Sequence, residues 1–150
     1  MNPKILIIGS TGKLGKKLLE FCNKKKINIF CITGYNNEKL LKSQSIKYKI
    51  KYSFKLSDRN KIRDFRLFLK NNKIDLIYFL DFGHRSLLYA DIFLKNNKNS
   101  QIAIANKEMI IAGGENLINK ISSSKNILVP LDSEHFSLIK SNIKNDNIQK

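Results

Sequence analysis

The sequence predicts an α/β fold: a doubly wound parallel sheet with helices on both faces. Three observations carry that prediction. Short apolar runs alternate with segments of helical periodicity along the whole chain. The first run, Lys4 to Ile8, breaks directly onto a Gly9-x-x-Gly12-x-x-Gly15 turn. With 150 residues, 42% of them apolar, the chain can build one domain with a real core but not two. Strict alternation of strand and helix calls for right-handed crossovers and hence parallel strands.

Lys4 to Ile8 suits a buried strand, because a parallel strand covered on both faces is apolar throughout. Leu14, Leu18, Leu19 and Phe21-Cys22 recur at helical spacing up to the Lys24-Lys25-Lys26 run. Ile27 to Thr33 is β-branched and aromatic, which predicts a second strand stopping at Gly34. Asn37 to Ser43 predicts a short helix. Ile46 to Phe54, alternating Lys or Ser with Ile, Tyr and Phe, predicts a third strand near an edge. Ser57 or Asp58 can cap a helix running to about Lys70, with Ile62, Phe65, Leu67-Phe68 and Leu69 on its apolar side. Ile74 to Leu80 is the most strand-like run of the chain. Arg85 to Leu94 predicts helix, Gln101 to Ala105 strand, Lys107 to Ser122 helix and Asn126 to Val129 a last strand. Asp132-Ser133 can start a final helix. Two low-complexity patches, Asn96 to Ser100 and Asn142 to Lys150, read as a turn and a frayed end.

The net charge of +16 invites a nucleic-acid reading, since Lys and Arg neutralise phosphates. The distribution argues against it. Arginine occurs only at Arg59, Arg63, Arg66 and Arg85, and Lys is spread along the chain among Asn and Ile. No basic run is interleaved with aromatics as a base-stacking platform would be, so no nucleic-acid partner is expected. Cys22 and Cys31 form no CxxC pair and sit in apolar segments, as buried thiols of a reducing cytoplasm do. The first apolar run is too short for a signal-peptide core or a membrane span, so no membrane partner is expected.

The glycine turn is the first feature with chemistry in it. Gly9 allows the tight turn, Gly12 lets backbone approach a pyrophosphate, and Gly15 lets helix and strand pack closely. The helix that follows offers free N–H groups and partial positive charge to the phosphates. This is a Rossmann-like dinucleotide site, with Thr11, Lys13 and Leu14 also in the turn. An NAD-specific site places Asp or Glu at the end of the second strand. Here that end reads Thr33-Gly34-Tyr35-Asn36-Asn37, with no carboxylate before Glu38. Nothing there repels a 2′-phosphate, Asn36 can donate to one, and Lys39 or Lys42 can add charge. NADPH is therefore expected over NADH.

Two later segments narrow the chemistry. Ala105-Asn106-Lys107-Glu108 falls where a strand ends and a helix begins, the end that faces the ligand crevice of a doubly wound sheet. In Pro130-Leu131-Asp132-Ser133-Glu134-His135, the carboxylates of Asp132 and Glu134 point the same way if the segment is extended. Paired oxygen ligands suit Mg²⁺ or Mn²⁺. Taken singly, Asp132 or Ser133 reads as well as a helix N-cap, and Glu134 as a first-turn acid.

In this order, the GSTGKLG, ANKE and DSEH segments resemble the 1-deoxy-D-xylulose 5-phosphate reductoisomerases, NADPH enzymes of isoprenoid biosynthesis. The resemblance implies that residues 1–129 form the NADPH-binding domain and that 130–150 begin a metal- and substrate-binding catalytic domain. It implies that Thr11, Gly12, Lys13 and Leu14 hold the pyrophosphate, and Gly34, Tyr35 and Asn36 the adenosine end. Asn106 and Glu108 would also touch cofactor. Lys107 and Glu134 would be catalytic. Lys107, Ser133 and Glu134 would bind the phosphorylated sugar substrate, and Asp132 and Glu134 the metal. A homodimer is implied for the full-length family. The chain departs from the family pattern at Lys13, where a serine is usual, and at Asp81-Phe82-Gly83-His84-Arg85-Ser86, where small residues are. The stretch between Asn37 and Ile74 is also shorter. The family extends far beyond 150 residues, so the chain is expected to be an N-terminal portion, inactive by itself.

Two other readings have less support. A short-chain reductase needs a Tyr-x-x-x-Lys pair, but Tyr48 is followed four residues on by Tyr52, and Tyr35–Lys39 falls at the end of the second strand, the wrong placement for catalysis. A non-catalytic NADP(H)-binding module would share the glycine turn alone.

Overall fold

The computed structural model describes residues 1–131. Strands and helices alternate without exception: β1 (Ile5–Ile8), α1 (Lys13–Lys24), β2 (Cys31–Gly34), α2 (Glu38–Lys47), β3 (Tyr52–Lys55), α3 (Arg59–Asn71), β4 (Leu76–Phe79), α4 (Ser86–Asn96), β5 (Gln101–Ile104), α5 (Lys107–Ser123) and β6 (Ile127–Pro130). All pairings are parallel, in the order β3-β2-β1-β4-β5-β6. The chain therefore winds outward from β1 to β3, crosses the sheet, and winds outward again from β4. The reversal opens a crevice beside the carboxyl end of β1, where sheets of this order take ligands.

Alternate side chains divide the core into two layers. Ile5, Ile7 and Ile32 pack with Leu19 of α1 and Leu41 of α2. Leu6, Ile8, Ile77, Phe79 and Ile104 pack on the other face with Phe65 of α3, Phe93 of α4 and Met109, Leu117 and Ile121 of α5. β1 carries four buried residues, as a central strand covered on both faces must. At the β3 edge, Phe30, Tyr52, Phe54, Phe65 and Phe68 form tilted ring pairs with centroids 4.9–5.7 Å apart where they touch most closely.

The predicted element order holds through β6, and several boundaries differ. The second strand starts at Cys31 and not at Ile27, which is 40% exposed and donates its N–H to the Cys22 carbonyl at the end of α1. The third strand is Tyr52–Lys55, and Ile46 and Lys47 belong to α2. The alternation across Ile46 to Ile50 is a helix end and a turn. Ile46 is 80% exposed, Lys49 takes φ 54°, and only Ile50 returns to the core. The Lys107 to Ser122 helix is interrupted at Gly114, where φ is 49°.

The amino ends of β4, β5 and β6 are joined by a buried polar network. Asn97 accepts from the Ile74 N–H at 2.7 Å, and Ser100 Oγ donates to the Ile74 carbonyl at 2.6 Å. Asn126 accepts from the Ser100 N–H at 2.8 Å and donates to the Asn97 carbonyl at 3.2 Å. Asn97 and Ser100 are each 1% exposed. Asn97 to Ser100 is therefore a turn, as expected, with Lys98 and Asn99 exposed and the Asn97 and Ser100 side chains turned into the protein. Cys22 and Cys31 are buried free thiols, and burial pushes both up from the usual thiol range. Among the described residues, no helix is long and apolar enough to cross a membrane.

Candidate dinucleotide site

The glycine turn leaves β1 through Gly9, whose φ of 86° suits only a residue without a side chain. The Gly9 and Ser10 N–H groups both donate to the Thr33 carbonyl, at 3.1 and 2.9 Å, which ties the turn to β2. Ser10 is fully buried. Its hydroxyl donates to Gln44 Oε1, and Gln44 Nε2 donates to the Ser10 carbonyl, both at 2.8 Å. This grip by α2 explains why Gln44, polar by nature, lies 5% exposed on an inward helix face. Nothing in its sequence context marks it out.

The three glycines do different things. A Cβ at Gly9 would lie 2.7–2.9 Å from Asp81 atoms, and one at Gly15 would lie 2.3 Å from the Gly9 carbonyl oxygen. A Cβ at Gly12 would meet only the Gly9 carbonyl, at 3.6 Å, so Gly12 faces open space. Gly12 is also the N-cap of α1, where no side chain caps the helix and no acid occupies the first turn. By contrast, α2, α3 and α5 are capped by Asn37, Asp58 and Asn106. α1 shares with α4 a start that has neither a side-chain cap nor a first-turn acid, and at α1 that start opens onto the space over Gly12.

Two grooves meet at this turn. The larger, of 540 Å³, is bounded by Gly9, Thr11, Gly12, Gly34, Tyr35 and Asn36, with Arg85 and Tyr89 opposite. The second, of 380 Å³, is bounded by Lys13, Leu14, Ala105, Asn106, Lys107 and Glu108. Both are lined by Leu80, Asp81 and Phe82, which follow β4. The structure therefore gathers the glycine turn and the end of β2 in one groove, and the ANKE segment with Lys13 and Leu14 in its neighbour. Gly15 lies behind the turn as the close-packing residue. Asn106 is 2% exposed: its Oδ1 accepts from the Met109 N–H at 3.0 Å, and its Nδ2 donates to Ser86 Oγ at 2.9 Å and the Gly83 carbonyl at 3.0 Å. Asp132, Ser133 and Glu134 lie outside the described residues, as does the helix expected from Asp132. Among the described residues, no group of three or more His, Cys, Asp or Glu could hold a metal ion.

Asp81 has no role in the sequence-based site, although it closes the most strand-like run. Its Oδ2 accepts a hydrogen bond from the Ser86 hydroxyl, and its buried Oδ1 has no partner among the described residues. Burial pushes its carboxyl above the usual carboxylate range, against the opposing influence of Ser86, Asn106 and Arg85. The folded chain holds this proton more tightly than the unfolded chain does. The stability associated with it is fully present below about pH 4 and lost as pH rises through the raised value. Asp81→Asn is therefore expected to stabilise the fold by about 1 kcal/mol at pH 7 and by nothing at pH 3. Urea unfolding of the two proteins at both pH values checks this, and a gain that persists at pH 3 would contradict it.

No protein-family model matches the chain. It is 31% identical over 160 aligned positions to the 1-deoxy-D-xylulose 5-phosphate reductoisomerase of Wigglesworthia glossinidia brevipalpis, covering 92% of this chain and 40% of that protein. It is 35% identical over 170 positions to the same enzyme of Pelagibacter ubique, covering 98% and 43%. The chain thus spans about two-fifths of the length of the curated relatives it matches. Among solved structures, the fold matches that of the Zymomonas mobilis reductoisomerase in complex with NADPH. That match has a TM-score of 0.73 at 19% identity and covers 90% of this chain and 40% of that one. A reductoisomerase in complex with NADPH, fosmidomycin and magnesium matches with a TM-score of 0.72 at 17% identity, covering 89% and 37%. The resemblance carried by the sequence motifs thus holds in overall sequence and in fold, and it fits an N-terminal portion of those enzymes.

Proposed function

We propose that this chain is the NADPH-binding portion of a 1-deoxy-D-xylulose 5-phosphate reductoisomerase, the enzyme that rearranges and reduces that sugar phosphate to 2-C-methyl-D-erythritol 4-phosphate. The observation that carries the reading is the meeting of two grooves at Asp81. One is lined by the glycine turn and the other by the ANKE segment, at the reversal point of the sheet. The open space over Gly12 and the uncapped start of α1 fit a pyrophosphate.

In this reading the backbone around Gly12 and the α1 N-terminus hold the pyrophosphate, and Lys13 adds a cation beside it. Gly34, Tyr35 and Asn36 hold the adenosine end. Asn106 fixes the start of α5, so that Lys107 meets the substrate and Glu108 stands beside the cofactor. NADPH, when bound, supplies the hydride. Asp132 and Glu134 offer the hard oxygen donors that Mg²⁺ or Mn²⁺ prefers, and Ser133 and Glu134 would contact the substrate. The metal would act as a Lewis acid on substrate oxygens. The buried thiols fit a cytoplasmic enzyme, and in the whole protein two copies would pair as a homodimer.

The 150-residue polypeptide is expected to bind NADPH without oxidising it when deoxyxylulose phosphate and Mg²⁺ are added. Titration of NADPH fluorescence and an absorbance assay check the two halves of this statement. Absence of NADPH binding would overturn the reading. Sustained turnover would show that two-fifths of the relatives' length is sufficient for catalysis, against the proposal that this is a cofactor-binding portion alone.

A further inference from the structure

We propose that Arg85 and Tyr35 form a clamp for the 2′-phosphate of NADP(H), an inference that rests on the cofactor reading above. Tyr35 follows Gly34 at the carboxyl end of β2, the place from which sheets of this order read the adenosine ribose. Arg85 comes from the opposite wall, at the start of α4, where its side chain makes no capping hydrogen bond. Its guanidinium carbon lies 3.8 Å from the centroid of the Tyr35 ring. The pair thus spans the larger groove at its adenosine end.

Asn36 lines the same groove and offers an amide donor, while Lys39 and Lys42 do not line it, which leaves the charge to Arg85. Lys42 pairs with Glu38 at 3.0 Å and Lys55 approaches the same carboxyl at 3.6 Å, holding Glu38 below the usual carboxylate range. The first acid after β2 is thus flanked by two lysines, and neither it nor they line the larger groove. The Asn37 side chain caps α2 by accepting from the Leu40 N–H at 3.0 Å. Arg85 is the cation among the described residues that line the larger groove. A guanidinium stacked on a ring keeps its in-plane N–H donors, and that fork matches the oxygens of a phosphate. A ribose hydroxyl offers no charge for it to meet. The clamp therefore discriminates between cofactors that differ only in the 2′-phosphate.

The test is calorimetric titration of NADPH and NADH into the wild-type chain, Arg85→Ala and Arg85→Lys. Arg85→Ala is expected to weaken NADPH by about 10- to 100-fold and leave NADH within about twofold. Arg85→Lys should fall between, since it keeps the charge and loses the planar fork. Unchanged NADH affinity also reports that the variants are folded. Equal losses for both cofactors, or no loss for either, would overturn the clamp while leaving the cofactor reading standing. A wild-type chain that binds neither cofactor would overturn both.

Discussion

Gly15→Ala is expected to destabilise the fold by about 3 kcal/mol or more, whereas Gly12→Ala should melt like the wild type and lose its cofactor. The difference lies in what each methyl would meet. At Gly15 the new carbon would sit 2.3 Å from the Gly9 carbonyl oxygen and 2.5 Å from Ser10 Cα, both backbone atoms of the turn. Neither can retreat, because the Gly9 and Ser10 N–H groups are bonded to Thr33 and Ser10 is gripped by Gln44. Higher helix propensity returns no more than about 1 kcal/mol. Against a typical stability of about 5–15 kcal/mol, the loss corresponds to roughly 10 °C in melting temperature. At Gly12 the same methyl has 3.6 Å to its nearest neighbour and enters the open space that the proposed pyrophosphate would fill. NADPH affinity should fall by about tenfold or more with melting unchanged within about 2 °C. Thermal melts and titrations of both variants check the pair. Equal destabilisation by the two substitutions would show that Gly12 is only a packing glycine.

Asn97→Ala is expected to cost about 2–3 kcal/mol, the largest effect of any polar truncation away from the grooves. Asn97 accepts from the Ile74 N–H at 2.7 Å, and its Nδ2 lies 3.4 Å from the Leu69 carbonyl. Ile74 is fully buried, so its N–H would lose its partner with no water to replace it. Asn97→Asp separates hydrogen bonding from packing: it keeps the acceptor and brings a charge into a buried site, so it too should destabilise. Chemical denaturation checks both, and a loss under about 0.5 kcal/mol for the alanine variant would contradict the buried network.

The fold was legible because its signals are local and repeated. Apolar runs of four to seven residues ending in Gly9, Gly34 and Asn106 mark strands, and Asp58 marks a helix start. The boundary of α2 was misjudged because Ile46-Lys47-Tyr48-Lys49-Ile50 alternates by accident, with Ile46 facing water. The turn and the ANKE segment were legible as chemistry, since glycine spacing and a polar cluster at a strand end each carry a mechanism. Arg85 and Gln44 were not. Their roles depend on partners 50 and 34 residues away, Tyr35 and Ser10, and no periodicity encodes such a meeting. Asn97 and Ser100 stand in the sequence as members of a low-complexity turn for the same reason. Their burial comes from Ile74 and Asn126, which only the folded sheet brings near.

The parallel sheet has two rims with different duties. The buried Asn97–Ser100–Asn126 network ties together the amino ends of β4, β5 and β6, while the grooves open at the carboxyl ends. The amino-end network carries no groove-lining residue, whereas the groove end combines open lining with close-packed structural positions such as Gly15 and Ser10. Tyr35, Asp81 and Arg85 all line the groove at the carboxyl ends of the strands. A substitution at the amino-end network should therefore register in melting without changing the groove lining, whereas one at the groove end can register in either.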